Sequence, residues 1–294
     1  MKKQADKIKR VGLIGNSEKA AGVHSVRQAA RLIQRARRKV WCDADTARLA
    51  GLKCPVFEDA ATLARAVDLL VVFGGDGTML HVAREIAGSA TPMLGINVGG
   101  LGFLTAVPSD EMVRALGRVW RGEFNFDSRA LIEVTGACRG RKIRETALND
   151  MVISRGAVSR LISLDVTVDN ELVTRYRCDG LIISSPTGST AYSLAAGGAI
   201  VLPTADVFAL TPICPHALSN RSIILPLAST IRVKAASTPH PIILSADGQF
   251  VAELGAGDEV AIRRSRGAVR LMHLADSSFL EALRRKLHWR GAYL

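Results

Sequence analysis

Short apolar runs alternate with amphipathic helical segments through the N-terminal part of the chain, and this alternation limits the fold more than any other feature. Residues 68–73 are almost entirely apolar over the length of a strand, which is typical of a parallel sheet covered on both faces. A helix is predicted next, because Met79 is the first of four apolar residues at i, i+3, i+4 and i+7. The pattern predicts an α/β domain with a doubly wound parallel sheet.

From about Asn125 the apolar residues take the period of short strands. Strand-length runs flank turn-forming pairs at 139–140, 169–170 and 247–248, which is a hairpin pattern. Helical spacing returns at 277–287, and we expect this last helix to pack on the first domain. The sequence thus predicts an α/β domain over 1–124 with 275–294, and a β-rich domain over 125–274.

The charge of the chain favours an anionic partner. Its 294 residues include 39 Lys and Arg against 27 Asp and Glu, a formal charge of +12. Nucleic acid, membrane phosphate and a nucleotide substrate would each satisfy this excess. Aromatic residues make up only 5% of the chain, which argues against a stacking platform for single-stranded nucleic acid. Charge alone does not choose among these three partners, and we expect no nucleic acid partner.

Three further features bear on the compartment. The five cysteines are scattered without C-x-x-C spacing, so neither a disulfide framework nor a zinc site is predicted. The charged N-terminal residues lead into only a short apolar run, so no signal peptide is expected. The uncharged stretch 180–205 has the length of a membrane span, but its Ser, Thr, Gly and Pro content predicts loop-rich folded backbone. We expect a cytoplasmic protein without a membrane partner.

A glycine-rich loop with one carboxylate, Gly74-Gly75-Asp76-Gly77-Thr78, separates the buried strand from the next helix. Ligands of open α/β sheets bind beyond the carboxyl ends of the strands, where this loop lies. Its glycines let a polyphosphate approach the backbone, and the helix start favours anions. A carboxylate beside phosphate either coordinates Mg²⁺ or takes a proton from an attacking hydroxyl, whereas the alternative is an Asp that only shapes the turn. The loop is neither a Walker A sequence nor a Rossmann fingerprint.

Three other motifs carry polar or flexible residues. Residues 95–105 form a second glycine-rich turn after a strand, suited to close approach near the same sheet edge. Asn149-Asp150 lies at a strand bend, where it either reads hydroxyl and amino groups or forms an Asx turn. Residues 178–198 combine small hydroxyls, glycines and Tyr192 without charge after Asp179, which suits an uncharged nucleoside or an ordinary Ser/Thr-rich loop.

Together these four ordered motifs resemble the NAD kinase family over nearly the whole chain. The first is shared with diacylglycerol-type lipid kinases and 6-phosphofructokinases, whereas residues 187–193 are much more specific. The resemblance implies phosphorylation of the adenosine-ribose 2′-hydroxyl of NAD to give NADP, with ATP and Mg²⁺ or another divalent cation. It also implies a phosphate-donor α/β domain joined to a β-sandwich-like dinucleotide-binding domain. Whether inorganic polyphosphate replaces ATP stays open.

The resemblance also implies residue roles. Asp76 is expected to accept the hydroxyl proton, and Asp76 and Gly77 to contact the dinucleotide. The phosphate-binding loop is expected at Gly74, Gly75, Gly77 and Thr78. Further substrate contacts are expected at Asn149, Asp150, Arg160, Arg177, Asp179, Thr190, Ala191, Tyr192, Ser193 and Gln249. Asp179 resembles the position that reaches the dinucleotide of a neighbouring subunit, which implies a homodimer or homotetramer. No metal ligand is expected, because the cation arrives with ATP.

Two other functions share parts of these motifs. A diacylglycerol-type lipid kinase would use the same first loop, but it must admit an acyl chain, for which the hydroxyl-rich 187–193 segment is unsuited. A non-catalytic dinucleotide sensor needs no general base, so Asp76 together with Asn149 and Asp150 counts against it.

Overall fold

The computed structural model describes residues 2–15, 20–100, 102–105, 107–157, 160–236 and 240–289, so Leu101 of the second glycine-rich motif and the last five residues lie outside it. The chain divides into two compact units, Met1–Ser128 with Val269–Leu294, and Arg129–Ala268. The domain limits predicted at 124/125 and 274/275 fall within a few residues of these divisions. As limits of independently folding domains they stay a prediction.

The elements alternate between strands and helices in the N-terminal part and are mostly strands afterwards. Up to residue 121 they are α1 (Lys2–Ala5), β1 (Arg10–Gly15), α2 (Ala20–Arg35), β2 (Lys39–Asp43), α3 (Ala44–Ala50), β3 (Val56–Phe57), α4 (Ala60–Ala66), β4 (Leu69–Gly74), α5 (Asp76–Glu85), β5 (Met93–Asn97), β6 (Val107–Pro108), a 3₁₀ turn (Ser109–Glu111) and α6 (Met112–Arg121). They continue with β7 (Phe124–Cys138), β8 (Arg141–Ala147), β9 (Asp150–Arg155), β10 (Ile162–Val168), β11 (Glu171–Cys178), β12 (Gly180–Ser184), a 3₁₀ turn (Thr187–Thr190), α7 (Tyr192–Ala195), β13 (Val207–Ile213), β14 (Ile223–Pro226), β15 (Ile231–Ala235), β16 (Ile242–Ala246), β17 (Gln249–Leu254), β18 (Glu259–Leu274) and α8 (Phe279–Lys286).

The first unit contains the predicted parallel sheet. Strands β5, β4, β1, β2 and β3 lie side by side in this order, and every neighbouring pair is parallel. Every residue of β4 is buried, as the apolar run predicted. One core joins alternate residues of β1 and β4 to the apolar side of α2. Because β4 and β5 are adjacent, the glycine-rich turns that follow them lie at the same edge of the sheet.

The second unit is an antiparallel β-sandwich. One sheet has the order β14-β13-β12-β9-β16-β17, and every pair in it is antiparallel. The other strands of the unit pair antiparallel as β11-β10-β15-β18 and as the β7–β8 hairpin. A single core packs buried residues of both layers, including Leu164, Ile183, Val233 and Leu244. The expected sandwich is confirmed.

The three predicted hairpin turns are present, and each has two residues in the left-handed region. Arg139 and Gly140 have φ of 47° and 77°, and Asp247 and Gly248 have the same pair of values. The third turn, at 169–170, follows with 49° and 73°. Two consecutive positive φ angles match the twist of paired strands, which is why Gly, Asn and Asp recur there.

The structure corrects the prediction for 180–205. Residues Gly180–Ser184 are not loop but strand β12, which is buried throughout between β9 and β13. Because this strand is covered on both faces, its sequence shows no polar alternation by which to recognise it. The segment from 185 to 205 is mostly irregular, as predicted, and it contains a 3₁₀ turn and the short helix α7, neither of which was predicted.

Helices α3 and α4 were also not predicted, nor was the one-turn helix α1. Helices α3 and α4 each begin after an aspartate whose side chain accepts a hydrogen bond from a backbone N–H, Asp43 from Thr46 and Asp59 from Thr62. Asp before a short alanine-rich run is the signal that would have found them.

The C-terminal helix belongs to the first unit, as predicted. The rings of Phe279 on α8 and Phe103 lie 6.1 Å apart between centroids. Among the described residues, no helix combines the length and the apolar character that crossing a membrane requires.

Candidate active site

The first glycine-rich loop joins β4 to α5, and the reason why glycine is suited to it differs from one position to the next. A side chain at Gly74 would collide with Thr78, so packing alone requires glycine there. Gly75 and Gly77 face open space, where a Cβ would meet nothing within 4 Å. Neither has a positive φ, so backbone conformation does not demand glycine either. The open side of the loop is therefore accessible to a ligand that approaches the backbone closely.

Asp76 is the first residue of α5, and its carboxylate binds the second glycine-rich turn. Oδ2 accepts a hydrogen bond from the Phe103 N–H at 2.8 Å, and Oδ1 accepts from the Leu104 N–H at 3.0 Å. The Thr105 hydroxyl donates to Oδ1 at 3.3 Å. These bonds hold the carboxylate in one orientation, with fewer partners on Oδ2 than on Oδ1.

Asn97 and Gly102 complete this arrangement. Asn97 is buried at the end of β5, and its Nδ2 donates to the Gly100 carbonyl at 2.8 Å and to Thr105 Oγ1 at 2.7 Å. A Cβ at Gly102 would overlap the Asp76 carboxylate. The structure thus brings the two predicted turns together and gives Gly102 a steric role that the sequence did not reveal.

In the second unit, the Asn149-Asp150 bend is held by the carboxylate of Asp247. Asp247 accepts from three consecutive backbone N–H groups, those of Leu148 at 2.9 Å, Asn149 at 2.7 Å and Asp150 at 3.2 Å. From the residue after β12, Ser185 Oγ donates to the Leu148 carbonyl at 2.5 Å, and the Ser185 N–H donates to the Asn149 carbonyl at 2.8 Å. The bend is therefore fixed by hydrogen bonds from two sides.

Asp247 was predicted as a turn residue only, and its bonds to residues 148–150 were not predicted. The turn pair Asp-Gly was visible, but its partners lie 97–99 residues earlier in the chain. Gly188 closes the same bend, because any side chain there would collide with the backbone of Asn149.

Asp150 is a buried carboxylic acid. Its side chain is 5% exposed. Burial, together with the nearby charge of Asp247, raises the pKa of Asp150 to about 7. Asp150 therefore binds a proton more readily than an ordinary carboxyl, and its protonated form can donate as well as accept a hydrogen bond.

The hydroxyls of the 184–193 segment bond mainly within the unit. Ser189 Oγ donates to the Pro186 carbonyl at 2.7 Å, and Ser193 Oγ lies 3.0 Å from Thr211 Oγ1. The Thr190 hydroxyl donates to the Thr187 carbonyl at 3.2 Å. Ala191 is partly exposed beside them, and the ring of Tyr192 is 47% exposed. These hydroxyls shape the loop, and Tyr192 is its most accessible side chain.

Asp179 lies at the other end of the same strands. Ser184 of β12 pairs with Asp150, whereas Gly180 pairs with Ser154, which places Asp179 roughly 15 Å along the sheet from Asp150. There it accepts a hydrogen bond from Arg155 Nε at 2.9 Å. Arg160, Arg177 and Gln249 are exposed. The structure thus groups Asn149 and Asp150 with Asp247 but leaves Asp179 apart from them.

Metal-binding side chains are not clustered in the part of the chain that the structure describes. No three His, Cys, Asp or Glu residues there come together in a way that would hold a metal ion.

Comparison with known proteins decides the family. Residues 11–124 match the model of the ATP-NAD kinase N-terminal domain, and residues 148–274 match that of the C-terminal domain. The NAD kinase of Moorella thermoacetica is 38% identical over 285 residues, which cover 97% of this chain and 91% of that protein. The chain belongs to the NAD kinase family.

Further NAD kinases are similar along the whole length. That of Methylibium petroleiphilum is 38% identical over 298 residues, covering 99% of this chain and 98% of its own. A solved yeast NADH kinase complexed with NADH has a TM-score of 0.88 at 27% identity, covering 98% of this chain and 89% of that one. An Archaeoglobus fulgidus NAD kinase solved with ATP shares the fold, with a TM-score of 0.75 at 23% identity over 96% of this chain and 100% of that chain.

Membership of the NAD kinase family fixes the type of reaction. The chain is a phosphotransferase of the NAD kinase type, and the comparisons support neither a lipid kinase nor a non-catalytic sensor.

Proposed function

We propose that Asp76 is the general base of this NAD kinase. It would take the proton from the 2′-hydroxyl of the adenosine ribose of NAD as that oxygen attacks the γ-phosphate of ATP, giving NADP and ADP. The proposal rests on the orientation of the Asp76 carboxylate, which the Phe103, Leu104 and Thr105 donors hold beside the glycine-rich loop. General base catalysis needs such a positioned acceptor.

The hydrogen bonds of Asp76 favour Oδ2 as the basic atom. An ionised carboxylate offers about four lone-pair positions, two on each oxygen. Among the residues that the structure describes, Oδ1 accepts from both Leu104 and Thr105, whereas Oδ2 accepts only from Phe103. Oδ2 therefore keeps a lone pair for the hydroxyl proton.

The open face of the same loop suits the triphosphate. Gly75 and Gly77 leave the backbone uncovered, and the start of α5 presents N–H groups to an anion. Mg²⁺ or another divalent cation, bound by the phosphates, would neutralise the charge that develops during transfer. With positioning and charge stabilisation supplied in this way, the protein needs little covalent chemistry.

The second unit supplies the dinucleotide contacts in this proposal. Asn149 and Asp150 would hold the nucleoside, since Asp247 accepts from both of their backbone N–H groups and the Ser185 N–H donates to the Asn149 carbonyl. The half-exposed ring of Tyr192 would stack on the dinucleotide. The remaining proposed contacts are Arg160, Arg177, Thr190, Ala191, Ser193 and Gln249.

Assembly and location belong to the same proposal. Asp179 would complete the site of a neighbouring subunit, so the active form would be a homodimer or homotetramer. All five cysteines are free, which suits a reducing compartment such as the cytoplasm.

Replacing Asp76 by Asn tests the proposed mechanism. Asp76→Asn keeps an acceptor oxygen but cannot take a proton, so we expect kcat to fall by about 10²–10⁴ while NAD affinity changes less. NADP formation is measured with ATP and with polyphosphate, and NAD binding by calorimetry. Asp45→Asn, at an exposed carboxylate of the first unit, is the matched control. A kcat within a few-fold of wild type would mean that Asp76 is not the base, and that Asp150 or the cation-bound reactants remove the proton.

A further inference from the structure

Two cysteines of the first unit lie in contact as free thiols. Cys54 Sγ donates to Cys42 Sγ at 3.4 Å. Their backbones are adjacent, because the Cys42 N–H donates to the carbonyl of Pro55 at 3.1 Å. A disulfide needs a sulfur–sulfur distance of about 2.05 Å, so the thiols would have to approach by only roughly 1.4 Å.

The two thiols differ in access. Cys42 is fully buried in β2, and burial, with a smaller effect of Cys54, raises its pKa above the ordinary thiol range. Cys54 is partly exposed in the segment between α3 and β3. An incoming reagent therefore meets Cys54 first, with Cys42 directly behind it.

Cys54 opens into a cationic pocket of about 440 Å³. Arg27 and Arg31 of α2 and Lys53 line it, and no Asp or Glu is among its lining residues. Arg27 is held in place by a bond from its Nε to the Ala50 carbonyl at 2.7 Å. A partly exposed thiol in electropositive surroundings is the environment of reactive cysteines.

We propose that this pocket is a modification site that binds an anionic low-molecular-weight disulfide and passes it to Cys54. The pocket volume lies in the range of small-molecule sites, and its cations match carboxylate groups. The residues that line this pocket include none of the proposed catalytic and substrate-binding residues.

The chemistry is thiol–disulfide exchange in two steps. The Cys54 thiolate attacks one sulfur of the incoming disulfide, whose S–S bond breaks and releases one thiolate, which takes up the proton of Cys54. Cys42 then gives up its proton and attacks Cys54 Sγ, which releases the second thiol and closes the Cys42–Cys54 bond. The two cysteines lose two electrons together, and the disulfide reagent gains them as two thiols.

Mass spectrometry of the reduced protein treated with oxidised glutathione tests the site. The exposed Cys214 is first replaced, Cys214→Ser, to remove background reaction. In this background we expect a Cys42–Cys54 disulfide without bound glutathione. Cys42→Ala should trap one glutathionyl group on Cys54, and Cys54→Ala should take up none. Because Cys42 is buried, Cys42→Val serves as a second variant if Cys42→Ala fails to fold. If glutathione is found on Cys54 in neither Cys42→Ala nor Cys42→Val, the proposal is overturned.

A charge-reversal pair tests the pocket. Arg31→Glu with Lys53→Glu should slow the reaction of Cys54 with anionic oxidised glutathione roughly tenfold relative to neutral 2-hydroxyethyl disulfide. The control pair is Arg35→Glu with Arg65→Glu, at two exposed arginines outside the lining, and it should leave that ratio nearly unchanged. If both pairs change the ratio equally, or neither does, the pocket does not select an anionic reagent.

Discussion

The Asp76 carboxylate occupies space that is free only because residue 102 is glycine. An added methyl group at Gly102 would clash with Asp76 Oδ1, whereas one at Gly100 would meet nothing within 4 Å. Because Gly102→Ala must displace the carboxylate, we expect kcat to fall by roughly 10², the cost of a misplacement of about 1 Å in a catalytic group. Gly100→Ala in the same turn is the control and should retain wild-type kcat. Equal kcat values in steady-state assays of the two variants would contradict the role given to the Asp76 orientation.

Asp150 should make stability depend on pH. Its pKa in the folded chain is about 7, above the ordinary value of 3.8, so between these values the folded state keeps a proton that the unfolded state has lost. The wild type is therefore destabilised as pH rises from about 4 to about 7. Asp150→Asn does not lose stability in this way. We therefore expect its free energy of unfolding, relative to that of the wild type, to rise across that interval by at most about 4 kcal/mol.

Urea unfolding of wild type and Asp150→Asn at pH 4 and pH 7.5 measures this difference. Asp45→Asn, at an exposed carboxylate, should follow the wild type at both pH values. A difference between wild type and Asp150→Asn that is the same at both pH values would show that Asp150 ionises normally.

The sequence revealed single residues well where their chemistry is local. Asp76 stands in a glycine loop between a strand and a helix, and that context alone marked it as a site residue. Asp247 was recognised only as part of a turn, because the N–H groups it holds belong to residues 148–150. A carboxylate that bonds backbone distant in the chain leaves no spacing pattern in a single sequence.

At the scale of elements, hairpins were predictable and the inner strand β12 was not. A hairpin such as β10–β11 is recognisable from the sequence, because apolar and polar residues alternate on both sides of a turn at 169–170. Strand β12 lies between β9 and β13 and is buried on both faces, so it shows five residues without polar alternation. Its glycine and serine made it look like the loop that follows it. Only the pairing of distant strands identifies such a segment.

A buried carboxylate joins three strands of the second unit. Glu133 on β7 is 4% exposed and accepts from Arg144 Nε on β8 and, at 3.1 Å, from Arg263 Nε on β18. Burial acts to raise the pKa of Glu133, but the hydrogen bonds of Arg144 and Arg263 lower it overall. We expect Glu133→Gln to lower the free energy of unfolding at pH 7 by about 1–3 kcal/mol, the cost of weakening bonds to a charged group.

This loss should disappear in acid. A lowered pKa stabilises the fold above the ordinary value of 4.5, and the contribution is lost as pH falls through the pKa of the folded state. Denaturation of Glu133→Gln and wild type at pH 7 and pH 3 measures the change, with Glu171→Gln on the exposed side of β11 as control. An undiminished difference at pH 3 would mean that packing, and not the charge of Glu133, is responsible.

At the scale of the whole molecule, the proposed catalytic groups come from distant parts of the chain. Asp76 belongs to the first unit, and Asn149, Asp150 and Asp179 belong to the second. Within the second unit Asp179 lies roughly 15 Å from Asp150 along the sheet, so the two carboxylates cannot contact the same group of a bound ligand. This separation favours a role for Asp179 in the site of a neighbouring subunit.

Mixing two inactive variants tests that role. Consider a dimer of one Asp76→Asn subunit and one Asp179→Asn subunit. The Asp179→Asn subunit keeps its own Asp76 and receives an intact Asp179 from its neighbour. One of the two sites of the dimer therefore has both carboxylates. Random exchange makes half of the dimers mixed, and we expect about a quarter of wild-type activity after the subunits are unfolded together and refolded. Arg155→Gln mixed with Asp76→Asn is the control, since it removes the 2.9 Å partner of Asp179 but not the carboxylate. Sedimentation should show a dimer or tetramer in every sample. If Asp179 acts within its own chain, neither site of the mixed dimer is whole, and activity stays at the level of the separate variants.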